Sequence, residues 1–164
     1  MTGFDYDLDQ FMLYCESKNL SKKTLSSYEQ TLKLFFLYLE DVKHISKSKQ
    51  ITVEHIREYI KYLKERGKYT VPSSNTNINH PDRRTDLGKP VSDTTIANYL
   101  RNIKVFLNFM SGERLIPRNP AENVANIKPQ RKQKPLLSES DLKRVFQTFD
   151  LTTFFDIEHG FKQN

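Results

Sequence analysis

The chain has 164 residues, 37% of them hydrophobic, with 26 Lys and Arg against 20 Asp and Glu, a formal charge of +6. That length suits one domain with appendages, and the composition allows a real core but not a large buried one. A single cysteine, Cys15, excludes an intrachain disulfide, and the longest strongly apolar run, Leu34 to Leu39, is far too short to span a bilayer.

The charge is uneven. Between Met1 and Leu20, Asp5, Asp7, Asp9 and Glu16 stand against Lys18 alone, so this stretch carries −3 and the remainder +9. A basic excess of this kind fits an anionic partner, most often nucleic acid, and equally fits a plain solvated basic surface. The acidic N-terminus has no signal-peptide pattern. The protein is expected to be soluble and cytoplasmic, with no membrane partner.

Taken in chain order, apolar spacing predicts four main helices. The first carries Leu8, Phe11, Met12 and Cys15, with Asp5 or Asp7 as N-cap. Cys15 falls on its apolar stripe and reads as a buried thiol. The second carries Leu25, Tyr28, Leu32, Phe35, Phe36 and Leu39 after the cap candidate Ser21. The third carries Val53, Ile56, Ile60 and Leu63, with Thr52 as cap and Gly67 as stop. The fourth carries Ile96, Tyr99, Leu100, Ile103, Phe106, Leu107 and Met110. Ser92 or Asp93 caps it, and Gly112 sits where a left-handed residue would end it.

Between the third and fourth helices, Lys68 to Pro90 mixes Ser, Thr, Asn, Asp, Gly and Pro without a helical period and reads as a long mobile loop. Thr85 to Val91 fits a tight turn, and Tyr69 to Val71 a scrap of strand with no evident partner. Beyond Gly112 a short fifth helix is expected near Ala121 to Ile127, with Pro120 at its first position. The stretch "KPQRKQKP" follows, with Lys128, Arg131, Lys132 and Lys134 and no acid. Its prolines favour an extended path, suited to a phosphate backbone or to an ordinary solvated linker. A further helix then opens at Ser138, three residues before Asp141, a capping-box variant, with Leu142, Val145, Phe146 and Phe149 as its stripe.

Two helical faces suggest chemistry. On the second helix Lys23, Ser26, Ser27 and Gln30 lie opposite the apolar stripe at its start. Leu34, Leu37 and Tyr38 occupy that side further on, so the second half is expected to be buried. On the fourth helix Thr94, Ala97, Asn98, Arg101, Val105 and Asn108 face outward, flanked by Asn102 and Lys104. Asn and Thr are poor helix formers, and an idle surface usually carries Glu and Lys. Small polar groups near a helix start suit a phosphate, and Asn and Arg can reach base edges.

"LSKKTLSSYEQTLKLFFLYLE", "ITVEHIREYIKYL", "VSDTTIANYLRNIKVFLNFM" and "IPRNPAENV", in this order, resemble the N-terminal core-binding domain of tyrosine recombinases, the phage-integrase family. "LLSESDLKRVF" resembles the first helix of that family's catalytic domain. The resemblance implies an all-α, SAM-like orthogonal bundle of four main helices plus a short fifth, closing half of a clamp on double-stranded DNA. It puts DNA contacts on Ser21, Lys22, Lys23, Thr24 and Ser27, and on Ser92, Thr94, Thr95, Asn98, Arg101 and Lys104. The cations Lys128, Arg131, Lys132 and Lys134 join them as phosphate partners, with Arg83 and Arg84 as further candidates in the loop.

The expected organisation is a helical DNA-binding domain over 1–127, with its mobile loop at about 68–90. A basic linker over 128–135 follows, then a truncated, partly disordered start of the catalytic domain over 136–164. The family's catalytic arginines, lysine, histidine motif and nucleophilic tyrosine are expected beyond Asn164. His44, His55, His80 and His159 match no triad or metal spacing, and none of the eight tyrosines sits in the nucleophile context. No catalytic residue, metal or cofactor is therefore assigned. The chain is expected to bind DNA as a monomeric fragment of a site-specific recombinase that assembles as an oligomer on DNA. A DNA-binding regulator and a helical protein-interaction module remain alternatives.

Overall fold

The computed structural model describes residues 3–70, 84–130 and 136–148. Their regular elements are α1 (Gly3–Ser17), α2 (Lys22–Lys43), a 3₁₀ turn (Ser48–Gln50), α3 (Val53–Glu65), α4 (Asp93–Gly112) and α5 (Glu139–Thr148). The chain divides into two compact units, Met1–Gln130 and Arg131–Asn164. The fold is all-α, as the apolar spacing predicts.

Local chemistry sets most helix starts. Ser21 caps α2 by accepting from Thr24 N at 3.2 Å, and Ser92 caps α4 by accepting from Thr95 N at 3.3 Å. At α3, Thr52 accepts from His55 N, and His55 Nδ1 accepts from Thr52 N, closing a capping box with histidine in the usual Glu position. In the second unit the Ser138–Asp141 box forms as the sequence predicts, with Asp141 N donating to Ser138 Oγ and Ser138 N to Asp141 Oδ2. Leu142, Val145 and Phe146 of α5 are exposed.

Three local expectations change. Neither Asp5 nor Asp7 caps α1, which is already helical at Gly3; Asp7 instead accepts from Ser48 Oγ, tying the 3₁₀ turn to α1. Helix α4 runs through Gly112, and the left-handed residue is Arg114, at φ 57°, with Leu115 N and Ile116 N both donating to Met110 O. Turns replace the expected helix near Ala121 to Ile127. There Asn119 Oδ1 takes the Ala121 N–H at 2.8 Å, which favours a side-chain-capped turn over a helical ladder.

The core of the first unit is aromatic, and α2 is its axis. Phe36 stacks on Phe4 of α1, with centroids 4.5 Å apart, and meets Phe106 of α4 edge-on at 5.4 Å. Phe11 closes the triangle against Phe106 at 5.5 Å. On the other side of α2, Phe35 and Tyr38 pack on Tyr59 of α3 at 4.9 and 5.0 Å. Each such pair adds about 0.5–1.5 kcal/mol to the burial of its rings. Cys15 is buried, as its position on the stripe predicts. The second half of α2 is less enclosed than expected: Tyr38 is buried, but Leu37 stays 38% exposed.

The described feet of the long connection are fastened together. Gly67 and Pro90 form an antiparallel bridge, Lys68 N donates to Lys89 O at 2.9 Å, and Gly88 N donates to Lys68 O at 3.0 Å. Lys68 pairs with Asp86 at 3.5 Å, and Arg84 lies over the Tyr69 ring at 4.1 Å. The tight turn predicted from Thr85 is thus present, with Gly88 at φ 75°. Gly67 and Lys68 pair with that turn; of the expected strand, Tyr69 and Thr70 are not in a strand and Val71 lies outside the described residues. These pairings lie at the two ends of the stretch 68–90, and residues 71–83, where most of the expected mobile loop falls, lie outside the described residues.

Two outcomes follow from this packing. Phe106→Ala removes the ring that joins α1, α2 and α4, and is expected to lower unfolding free energy by about 3–5 kcal/mol in urea titration; a loss below about 1 kcal/mol would refute the junction. A Cβ on Gly67 would sit 2.4 Å from Gly88 Cα. Gly67→Ala is therefore expected to abolish hydrogen-exchange protection at Lys68 and Gly88 while the α2 and α4 core amides keep theirs. Retained protection at both feet would disprove the close approach.

Candidate nucleic-acid interface

Helices α2 and α4 pack side by side, and each opens with the same device. Ser21 and Thr24 hydroxyls lie 2.9 Å apart at the start of α2, as do those of Ser92 and Thr95 at the start of α4. These four candidates are thus already committed to capping, which orders the backbone on which their neighbours sit. Lys22, Lys23 and Ser27 are exposed on α2; Thr94, Asn98 and Arg101 are exposed on α4. Spacings of four and three residues put Thr94, Asn98 and Arg101 on one face.

A groove runs between the two helices, lined by Lys23, Ser26, Ser27, Gln30, Thr31 and Tyr99. It brings two of the α2 candidates, Lys23 and Ser27, against α4. Tyr99, read from its spacing as core, is only partly buried and forms one wall. Burial pushes the Tyr99 phenol above its ordinary pKa, and pushes Tyr59 higher still. That direction opposes the activation of either as a nucleophile.

Two flanking residues are not surface groups. Asn102 is 1% exposed, and its Nδ2 reaches Ser27 and Thr31 across the α2–α4 junction. Periodicity alone puts Asn102 on the flank of the helix, about 60° from Tyr99 and 40° from Phe106, and does not mark it as buried. Lys104 donates to Val124 O and, at 2.8 Å, to Asn126 Oδ1. Asn108 Oδ1 accepts from Asn119 Nδ2 at 2.5 Å. The lower half of the α4 outer face therefore holds the outgoing chain.

Of the basic stretch, Lys128 is exposed, and Arg131, Lys132 and Lys134 lie outside the described residues, as does Arg83. The sequence does contain one His-x-x-Arg spacing, at His80 and Arg83. It lies in the polar loop directly before and after Pro81 and Asp82, and it too is outside the described residues. Among the described residues no three His, Cys, Asp or Glu side chains gather to hold a metal, and no helix is long and apolar enough to cross a membrane.

Replacing the Lys104 ammonium by a thioether, in Lys104→Met, strips Val124 O and Asn126 of their donor. Residues 124–127 are expected to gain fast backbone motion, read by amide relaxation, with α4 unchanged. Relaxation identical to the wild type would mean that Lys104 does not restrain this segment.

The model of the phage integrase N-terminal SAM-like domain matches residues 8–78. Over 144 residues, 87% of the chain, the sequence is 22% identical to the tyrosine recombinase XerD of Oceanobacillus iheyensis. The chain spans 41% of the length of that relative. No solved structure matches. Residues 8–78 are thus similar to a phage integrase N-terminal SAM-like domain, and the wider chain is similar to a tyrosine recombinase.

Proposed function

We propose that this chain grips double-stranded DNA at a recombination core site, as the DNA-binding part of a site-specific recombinase. Strand cleavage through a tyrosine is not assigned to these 164 residues, since none of the eight tyrosines sits in the nucleophile context that the resemblance implies. The observation that carries the reading is the paired presentation of Lys22, Lys23 and Ser27 beside Thr94, Asn98 and Arg101 on two adjacent helices with capped starts. A face of hydroxyls, amides and cations, short of carboxylates, matches phosphates and base edges and does not match a basic protein surface. The similarity of residues 8–78 to the phage integrase N-terminal SAM-like domain supports it.

Division of labour follows from reach and chemistry. Lys22, Lys23, Lys128, Lys132 and Lys134 carry point charges suited to phosphates, and Arg131 offers a guanidinium that can take a phosphate through two N–H groups. Asn98 and Arg101 have planar, bidentate heads suited to base edges. The remaining candidates, Ser21, Thr24, Ser92 and Thr95, order the two helix starts, and Thr94 stands beside them. Lys104 is assigned to holding the exit segment, not to DNA.

Titration of a duplex across a salt series tests this. Six cations remain as phosphate partners, and engagement of about half to two-thirds of them gives a log–log slope of roughly −3 to −4. A slope near zero would exclude DNA binding and favour a protein-interaction module. Lys132→Ala is expected to weaken binding to all sequences alike and to flatten the slope by about one. Arg101→Ala is expected to cost about 1–3 kcal/mol on the cognate site and little on scrambled DNA. Equal loss on both duplexes would make Arg101 a phosphate contact.

A further inference from the structure

The floor of the α2–α4 groove is polar where apolar packing alone would suffice. Asn102 Nδ2 lies 3.2 Å from Ser27 O, 3.1 Å from Ser27 Oγ and 3.0 Å from Thr31 Oγ1. A carbonyl oxygen can only accept, so the amide nitrogen must occupy this end of Asn102; the reverse orientation would set two acceptor oxygens face to face. Once the nitrogen is placed, the polarity of the hydroxyls follows. Two Nδ2 hydrogens serve three acceptors: one goes to Thr31 Oγ1 and the other is shared between Ser27 O and Ser27 Oγ, and neither hydroxyl can return its own proton to that nitrogen. Thr31 is 2% exposed and confined within the protein. Ser27 is exposed, and its proton can turn outward.

Lys23 stands one helical turn before Ser27, on the same side of α2, and both line the groove. A donor hydroxyl beside an ammonium selects a ligand that only accepts and carries negative charge. A phosphodiester oxygen meets both conditions; a base-edge amino group meets neither.

We propose that Asn102 is a positioning residue that presets the Ser27 hydroxyl as a hydrogen-bond donor, so that the α2–α4 groove seats a backbone phosphate between Ser27 and Lys23. This rests on the DNA-binding reading above. Because Ser27 reads backbone, it contributes equally on any sequence. Because it is neutral, it displaces no counterion.

The test uses the full chain and a random 30-base-pair duplex, followed by fluorescence anisotropy across a salt series. Ser27→Ala is expected to weaken binding about tenfold, the scale of a hydrogen bond to a charged group. The salt slope should not change, whereas Lys23→Ala should flatten it by about one. Ser27→Thr restores the hydroxyl and should bind nearly as the wild type does. In an Asn102→Leu background, Ser27→Ala should cost less than about threefold, since the hydroxyl is no longer preset. If Asn102→Leu does not fold, the Asn102 side-chain amide signals report instead: they should shift on duplex addition in the wild type and stay put in Ser27→Ala. Full binding by Ser27→Ala overturns the donor role. A tenfold loss persisting in the Asn102→Leu background, or amide signals blind to DNA, overturns the role of Asn102. Both leave the DNA reading standing, whereas a wild-type chain that binds no duplex at any salt overturns both.

Discussion

The contact of Phe36 with Phe4 and Phe106 is the constraint on which the first unit depends. Phe36 sits past the middle of α2, so it joins α1 to α4 across a helix that also touches α3. Phe35 and Tyr38, its neighbours along α2, bring in α3 through Tyr59. Phe35, Phe36, Tyr38 and Leu39 of α2 are all buried, so this stretch of the helix is packed on most sides although Leu37 stays exposed. This explains why α2 begins with an exposed polar turn and sinks inward only later. Its exposed start beside the start of α4 is therefore a by-product of how its far half is buried.

Polar contacts then do what aromatic packing cannot. Rings in contact tolerate small slides, but Asn102 meets three acceptors within 3.0–3.2 Å and fixes the offset of α4 along α2. Lys104 and Asn108 fix where the chain goes after α4, through Val124, Asn126 and Asn119. The Gly67–Gly88 approach fixes where the chain between α3 and α4 leaves and returns. All three devices converge on α4, the helix whose upper face carries Thr94, Asn98 and Arg101. The proposed interface is thus held in place by groups outside it.

Legibility of the fold tracked the range of the interactions. Caps at Ser21, Thr52, Ser92 and Ser138 were readable because the partner lies three residues away. The apolar stripes were readable because burial follows a 3.6-residue period. Asp7 was misread as a cap because its partner, Ser48, is remote in sequence. The turn after Pro120 was misread as helix because Asn119 competes for the backbone locally, a choice composition does not settle. The candidate interface was legible as residue types on faces, and its exposed members on α2 and α4 lie where periodicity predicts.

Sequence alone, then, decided which segments are helices, where most begin, which sides turn inward, and that a basic, carboxylate-poor face exists. Tertiary structure alone decided what individual polar residues on those faces do. Asn102 and Lys104 looked alike from periodicity, both flanking an outward face. One turned out to be the bolt between two helices and the other the anchor of the exit segment. The reason is physical: the partner of a polar group is an atom brought from elsewhere in the chain, 71 residues away for Thr31 and 20 for Val124. Periodicity specifies the direction a side chain leaves its helix, not what stands there to receive it.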